Sequence, residues 1–393
     1  MVQELQWVAS AVLHFDPQYE LPQKFLADSL SAVLWLPDGS LWLGSDEAAT
    51  LECLALSSPI QAMPLQFGSH RQVHLEQYLI DFQGVDTKGK PEEVDVEGLA
   101  YADGHLWFVG SHSTKRKKPK AKSADLLRNP EDLACLAKVQ RERNRYLLGR
   151  IRLQSDAQGQ QERSDVQALQ LSGAAYLERT ETGNLLTDAL LDDPHLGASL
   201  RACLYKDQAL AYPGKDNGFD VEGIVVRGDR IWLGLRGPVL RGWSVLLEIE
   251  VKESRSGLLA LKKIGPNGER YRKHFLDLRG LGIRDLCERG GDLLILAGPT
   301  MSLDSPVYVF SLKGGLDCLT EAGTENLQVL ELLGEVPVGK DGDAGLDHLE
   351  GITLVPHSDG AQVLTVYDSP RAARKQDEGH SVTADIFELP PLR

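Results

Sequence analysis

Asp95-Val96-Glu97-Gly98-Leu99 is written again as Asp220-Val221-Glu222-Gly223-Ile224 and once more as His348-Leu349-Glu350-Gly351-Ile352. Each copy opens an apolar stretch. The first two lead through a short polar turn, Ala102-Asp103-Gly104 or Gly228-Asp229, into a second apolar stretch that carries Trp107 or Trp232. Short runs of this kind split by Asp-Gly or Gly-Asp predict β-hairpins.

The same plan extends on both sides of the three copies. Ser31–Leu36, the turn Pro37-Asp38-Gly39-Ser40 and Leu41–Gly44 form an earlier hairpin, followed by strands over Thr50–Leu56 and Val73–Phe82. The second unit runs from Val96–Tyr101 to His105–Gly110 and resumes at Tyr146–Leu153 and Asp165–Leu171. The third contains Glu222–Arg227, Arg230–Leu235, Val245–Val251 and Tyr271–Leu278. A fourth runs through Ile283–Cys287, Leu293–Ala297, Val307–Leu312 and Leu327–Leu333. The fifth has only three strands, Gly351–Val355, Gln362–Tyr367 and Thr383–Leu389. Leu5–Phe15, β-rich and without a partner before it, supplies the fourth.

Taking Ala32, Glu97, Glu222, Arg284 and Glu350 as equivalent positions, the intervals are 65, 125, 62 and 66. A fixed period of four-stranded units predicts a single all-β domain over residues 1–393, a β-propeller. It has five blades, closed by the N-terminal strand so that no edge is left free. The long interval holds an insertion at 114–144 in blade 2, basic over Lys115–Lys122 and helical over Ser123–Arg143. It also holds a segment at 173–219, helical over Asn184–Leu191 and Ala198–Leu210, that leaves room for a sixth blade. A WD-repeat array is excluded by its period of ~40–45 residues.

Composition narrows the function classes. The 393 residues carry a net charge of −15, which disfavours nucleic acid as a partner. Five cysteines, none spaced as CxxC, read as reduced thiols. With no basic N-terminal segment, a cytoplasmic protein is expected. No stretch approaches the ~18 apolar residues of a membrane span.

In a propeller the first strand of each blade lines the channel and the second returns antiparallel. The start of the one and the end of the other therefore meet at one mouth. This gathers Asp95, Glu97, Asp220, Glu222, Arg284, Asp285, Asp347 and Glu350 with Asp46, Glu47, His112, Arg236 and Asp368. So many carboxylates, with few bases in view, raise one another's pKa or bind a cation. Oxygen ligands favour Ca²⁺, Mg²⁺ or Mn²⁺, with Glu97, Glu222, Glu350, Asp95 and Asp220 as ligands. The glycine after each Glu permits close backbone approach. Beside this stands a purely structural reading, in which the carboxylates accept hydrogen bonds from the neighbouring blade. His112 is a candidate general base or an ordinary hydrogen-bonded loop histidine. Arg236, with Arg241, is a candidate anion clamp or an ion-pair partner of the acidic ring. Lys215-Asp216-Asn217 covers the mouth or is a plain turn. Lys115–Lys122 is a solvated loop or a dock for an anionic partner.

Asp95–Tyr101 with Gly110-Ser111-His112-Ser113, Pro213–Gly223, and above all Arg236–Trp243 resemble an uncharacterised bacterial β-propeller family, a domain of unknown function, from about Ser31 onward. The chain is more loosely similar to esterase-like phytase propellers, which carry Glu-Gly-Leu steps at strand starts. It is also similar to calcium-dependent lactonase propellers, whose Glu-Gly step meets a channel metal. The latter resemblance implies a ligand role for Glu97, Glu222 and Glu350. The resulting expectation is a metal-dependent hydrolase of esterase or lactonase type acting on a small anionic molecule, with His112 and Arg236 orienting it. The alternative is a non-catalytic binding propeller.

Overall fold

The computed structural model describes residues 2–19, 25–79, 82, 92–117, 130–154, 170–204, 212–301, 305–319, 329–337 and 346–392. Its strands pair as five antiparallel sets of four. The first is Leu30–Trp35, Ser40–Ser45, Thr50–Leu56 and Leu65–His74. The second is Val96–Ala102, His105–Gly110, Leu148–Gln154 and Gln170–Leu177. The third is Asp220–Arg227, Arg230–Gly237, Ser244–Arg255 and Arg272–Leu276. The fourth is Gly282–Arg289, Asp292–Gly298, Val307–Leu312 and Leu330–Val336. The fifth is His348–Leu354, Gln362–Asp368, Ser381–Glu388 and, from the other end of the chain, Gln6–His14. Gln6–His14 pairs antiparallel with Ser381–Glu388 from Gln6↔Glu388 to His14↔Ser381, and touches Leu65–Phe67 in parallel on its other side.

The leading strands pack on one another in a closed round, each on the next and the fifth on the first. The cores lie between successive sets. Trp42 and Leu51 meet Val96 and Phe108. Trp107 and Val109 meet Val221 and Leu233. Trp232 and Leu246 meet Ile283 and Leu293. Leu294 and Val309 meet Leu349 and Val363. Val33 and Leu43 meet Val366 and Ile386. A fully buried side chain of this size contributes about 1.5–3 kcal/mol relative to its exposed state, so each facing layer is a strong adhesive.

The helical expectations are shortened. Helices cover Pro130–Leu136, Leu185–Leu190 and Gly197–Cys203. The last two drop Leu186, Leu190 and Leu200 into the core between the second and third sets. Of the expected strand Asp165–Leu171, Gln170 and Leu171 lie in a strand that runs on to Leu177, and residues 165–169 lie outside the described residues. Lys118–Lys122, Ser123–Asn129 and Lys206–Leu210 lie outside the described residues. No helix among the described residues is long and apolar enough to cross a membrane.

Each leading strand carries the same irregularity near its start. Pairing skips Ser31, Glu97, Arg284 and Glu350, and in the third set the skip spans Glu222 and Gly223. A bulge re-aims the extra side chain and sharpens the local twist. The counterpart in the first set is therefore Ser31, one residue before the expected Ala32. Its hydroxyl donates to the carbonyl of Val96 at 2.5 Å.

The glycine that follows serves the seam between strands. A Cβ on Gly98 would stand 3.0 Å from the backbone nitrogen of Ile224, and one on Gly223 would stand 2.9 Å from Cα of Asp285. Gly223 also has φ +83°, which a side chain would strain. Asp285 takes the glycine's place in the fourth set. Its carboxylate accepts from its neighbour Leu286 N and from Ile352 N of the fifth set, both at 2.8 Å. At that one position the structural reading of the acidic steps holds to the letter.

Candidate functional site

The bulges bring the carboxyls of Glu97, Glu222 and Glu350 into mutual electrostatic reach, with Asp95 and Asp220 beside them. All five are buried: Asp95 is 4% exposed, Glu97 6%, Asp220 2%, Glu222 1% and Glu350 7%. The bases expected to be few are present in strength. Arg236 Nη1 donates to Glu222 Oε1 at 2.8 Å and lies 3.9 Å from Asp220 Oδ2. Arg284 Nη1 bridges two sets, 3.1 Å from Glu222 Oε2 and 2.6 Å from Glu350 Oε2. Arg145, on the turn Arg143–Tyr146, pairs with Asp95 and is itself backed by Glu142 at 3.1 Å and Glu93 at 3.6 Å.

Lys215 completes the group. The residue is exposed, and the carboxyls of Asp46, Glu350 and Glu97 lie within its electrostatic reach. Desolvation works against its charge. The carboxyls of Asp46, Glu350 and Glu97 outweigh that effect and hold its pKa above the ordinary lysine value. No carboxylate oxygen among the described residues comes within ion-pair distance of it.

Protonation divides the ring. Burial would raise Glu222, but Arg236 and Arg284 bring it below its ordinary value, so it is ionised. Glu97 has no ion-pair partner among the described residues, and burial together with Asp95, Glu222 and Glu350 raises its pKa well above the ordinary value. Asp220 is pushed up to about 7 by burial and by Glu222. Its Oδ1 is buried without a hydrogen-bond partner. Asp46, at the end of the second strand of the first set, is raised by burial and by Asp368. The ring thus mixes fixed anions, carboxyls that keep a proton near neutrality and one ammonium facing water.

His112 stands apart from this chemistry. It is 0% exposed. Its Nδ1–H donates to the carbonyl of Gly110 at 2.7 Å, and its Nε2 accepts from Asn184 Nδ2 at 2.7 Å. Burial lowers its pKa to about 4, so it is neutral and fixed in one tautomer. Asn184 also caps the helix Leu185–Leu190 through its Oδ1. The structure therefore makes His112 a wall residue that holds a capped helix, which fits the ordinary hydrogen-bonded reading of this histidine and not the substrate-orienting one. Arg236 is 2% exposed and spent on Glu222. Arg241 lies in an exposed turn at φ +52°.

A divalent cation on Glu97, Glu222, Glu350, Asp95 and Asp220 does not fit this arrangement. Glu222, Glu350 and Asp95 already turn oxygens to guanidinium groups. The Lys215 charge lies in the field of the rest. Among the described residues no three His, Cys, Asp or Glu side chains are placed to share a metal ion.

Comparison with known proteins gives one family. The model for "Protein of unknown function (DUF3616)" matches residues 29–385. The chain belongs to this family. Among solved structures it is similar to virginiamycin B lyase from Staphylococcus aureus, at 10% identity and TM-score 0.31 over 96% of this chain and 98% of that one. It is similar also to the PQQ-bound aldose sugar dehydrogenase from Streptomyces coelicolor, at 12% identity and TM-score 0.34 over 98% of this chain and 100% of that one. No curated protein matches.

Proposed function

We propose that the chain is a five-bladed propeller whose channel mouth is a small-molecule site, and that the site hydrolyses an ester or lactone carrying a small anionic group. The observation that carries this is the pairing of Glu97, a carboxyl without a cationic partner, with Lys215, an ammonium without an ion pair, in one water-accessible mouth. A carboxyl that holds its proton near neutrality is matched to general acid and base work. Ionised Glu97 would take a proton from the attacking water as the water oxygen bonds to the carbonyl carbon, and would return that proton to the leaving oxygen as the C–O bond breaks. Lys215 would hold the anionic group or the carbonyl oxygen. Arg236 and Arg284 keep Glu222 charged, and Arg284 also holds Glu350 in place, which sustains the raised pKa of Glu97.

The test is a screen of esters, lactones and phosphate esters, followed by Glu97→Gln and Lys215→Met on any substrate found. Loss of kcat by about a hundredfold or more in Glu97→Gln is the expected result. Full activity in that variant sinks the reading. Saturable binding without turnover, lost in Lys215→Met, would assign the mouth to the non-catalytic binding propeller.

A further inference from the structure

Like the turn that carries Arg145, the segment Tyr212–Gly218 is irregular chain that reaches the ring. It is turn chemistry throughout, with Asp216 N bonded to the carbonyl of Pro213 at 3.1 Å and Gly218 N to that of Gly214 at 3.0 Å. It is pinned on several sides. Gly214 N donates to Thr114 O at 3.3 Å. Asp216 accepts from Arg116 Nε at 2.7 Å and bridges to Met301 of the fourth set. Asn217 Oδ1 accepts from Val239 N at 3.0 Å. Gly214 lies so close to the Asp220 carboxylate that a Cβ there would be 2.6 Å from Oδ2. The segment is a strap across the mouth, and Lys215 is what it delivers.

Lys215 faces carboxyls from four of the five sets: Asp46 from the first, Glu97 from the second, Asp220 and Glu222 from the third, Glu350 and Asp368 from the fifth. Two of these point to a cation independently of their number. Asp220, 2% exposed, has an oxygen with no partner. Glu97, 6% exposed, has no hydrogen-bond or ion-pair partner among the described residues. The three guanidinium groups nearby make their close contacts to Asp95, Glu222 and Glu350, while Lys215 lies in the field of carboxyls from all four sets.

We propose that this ring is a cation site with a tethered occupant, the Lys215 ammonium, and that a free divalent cation binds there only in competition with it. This accounts for five expected ligands converging without fitting an ion: the counter-charge comes from the strap. The inference uses the same mouth as the proposed hydrolase but needs no turnover, so the two fail separately.

The test is calorimetric titration of the full chain with Ca²⁺ and with Mn²⁺, beside metal content by mass spectrometry. Wild type, Lys215→Met, Lys215→Gln and Lys215→Arg are compared, with the far-UV circular dichroism of each as the folding check. Lys215→Met is expected to take up one equivalent, tens-fold or more tighter than wild type. Lys215→Gln should follow it if Lys215→Met fails to fold, and Lys215→Arg, which keeps a tethered charge, should stay with wild type. Adding Glu97→Gln to Lys215→Met should abolish the gain, which places the ion in the ring. The proposal is overturned if neither neutral variant binds tighter than wild type. It is equally overturned if Lys215→Arg binds as the neutral variants do, or if wild type carries a stoichiometric ion that removing the lysine leaves unchanged.

Discussion

Two copies of one phrase, Asp95-Val96-Glu97-Gly98 and Asp220-Val221-Glu222-Gly223, have the same backbone role and opposite ion pairing. In the second set Arg145 takes the Asp and leaves the Glu alone. In the third set Arg236 and Arg284 take the Glu and leave Asp220 with an unpartnered oxygen. Each copy therefore gives one carboxyl a close guanidinium partner and leaves the other with a raised pKa. The repeat decides where a carboxyl stands. The cation that arrives from outside the repeat decides what it does.

That contrast can be broken most severely at the bridge. Arg284→Met should leave Glu222 and Glu350 buried with only Arg236 between them, at about 3–5 kcal/mol by urea unfolding. A wild-type midpoint would show the pairing to be idle. Next comes the seam: Gly223→Ala, at φ +83° against Asp285, should cost about 2 kcal/mol or more, beyond the cost of Gly98→Ala. Equal costs would mean the backbone conformation is unimportant there.

The carboxyl left alone in the third set gives a pH signature. Asp220 titrates near 7 in the folded chain and, unfolded, near its ordinary value of about 3.9. Between those values the native state holds the extra proton, so this residue's contribution to stability is present below pH 4 and is lost as pH rises toward 7. Asp220→Asn should flatten that slope by on the order of 2 kcal/mol, read from unfolding curves at pH 4.5 and 8. An unchanged slope would assign the proton elsewhere. The smallest effect is the sharpest comparison. Glu97→Gln replaces a neutral carboxyl by a neutral amide and should move stability by less than about 1 kcal/mol at pH 7. Glu222→Gln leaves two guanidinium groups underpaired and should cost several times that. Equal costs would erase the distinction between the copies.

Much of this was legible in the chain, for physical reasons. Strand alternation and the Asp-Gly turns mark the hairpins, and the repeat places Asp95, Glu97, Asp220, Glu222 and Glu350 at one mouth because antiparallel return is obligatory. The acidic residues were visible because they sit in the repeating unit. Arg145 and Lys215 were not assignable as their partners because they come from irregular segments, a short turn after the insertion and a strap after two helices, where no period fixes position. Ser31 was missed by one residue because a bulge adds a position that alternation does not count. His112 was misplaced for a related reason. The residue follows the strand end at φ +54°, which turns it away from the mouth and into the wall, toward Asn184. Nothing in the local sequence announces the helix cap it meets there.

The pairing of Gln6–His14 with Ser381–Glu388 sets an order on biosynthesis. Gln6 is made long before Glu388, so its strand waits for all the intervening sets before its main partner exists. The first four sets can assemble as they emerge. The round of leading strands can be sealed only after translation has passed the final sheet. Until then the edges of the first and fourth sets stand open, and that interval, rather than the finished ring, is when the protein is most vulnerable to pairing with the wrong strand.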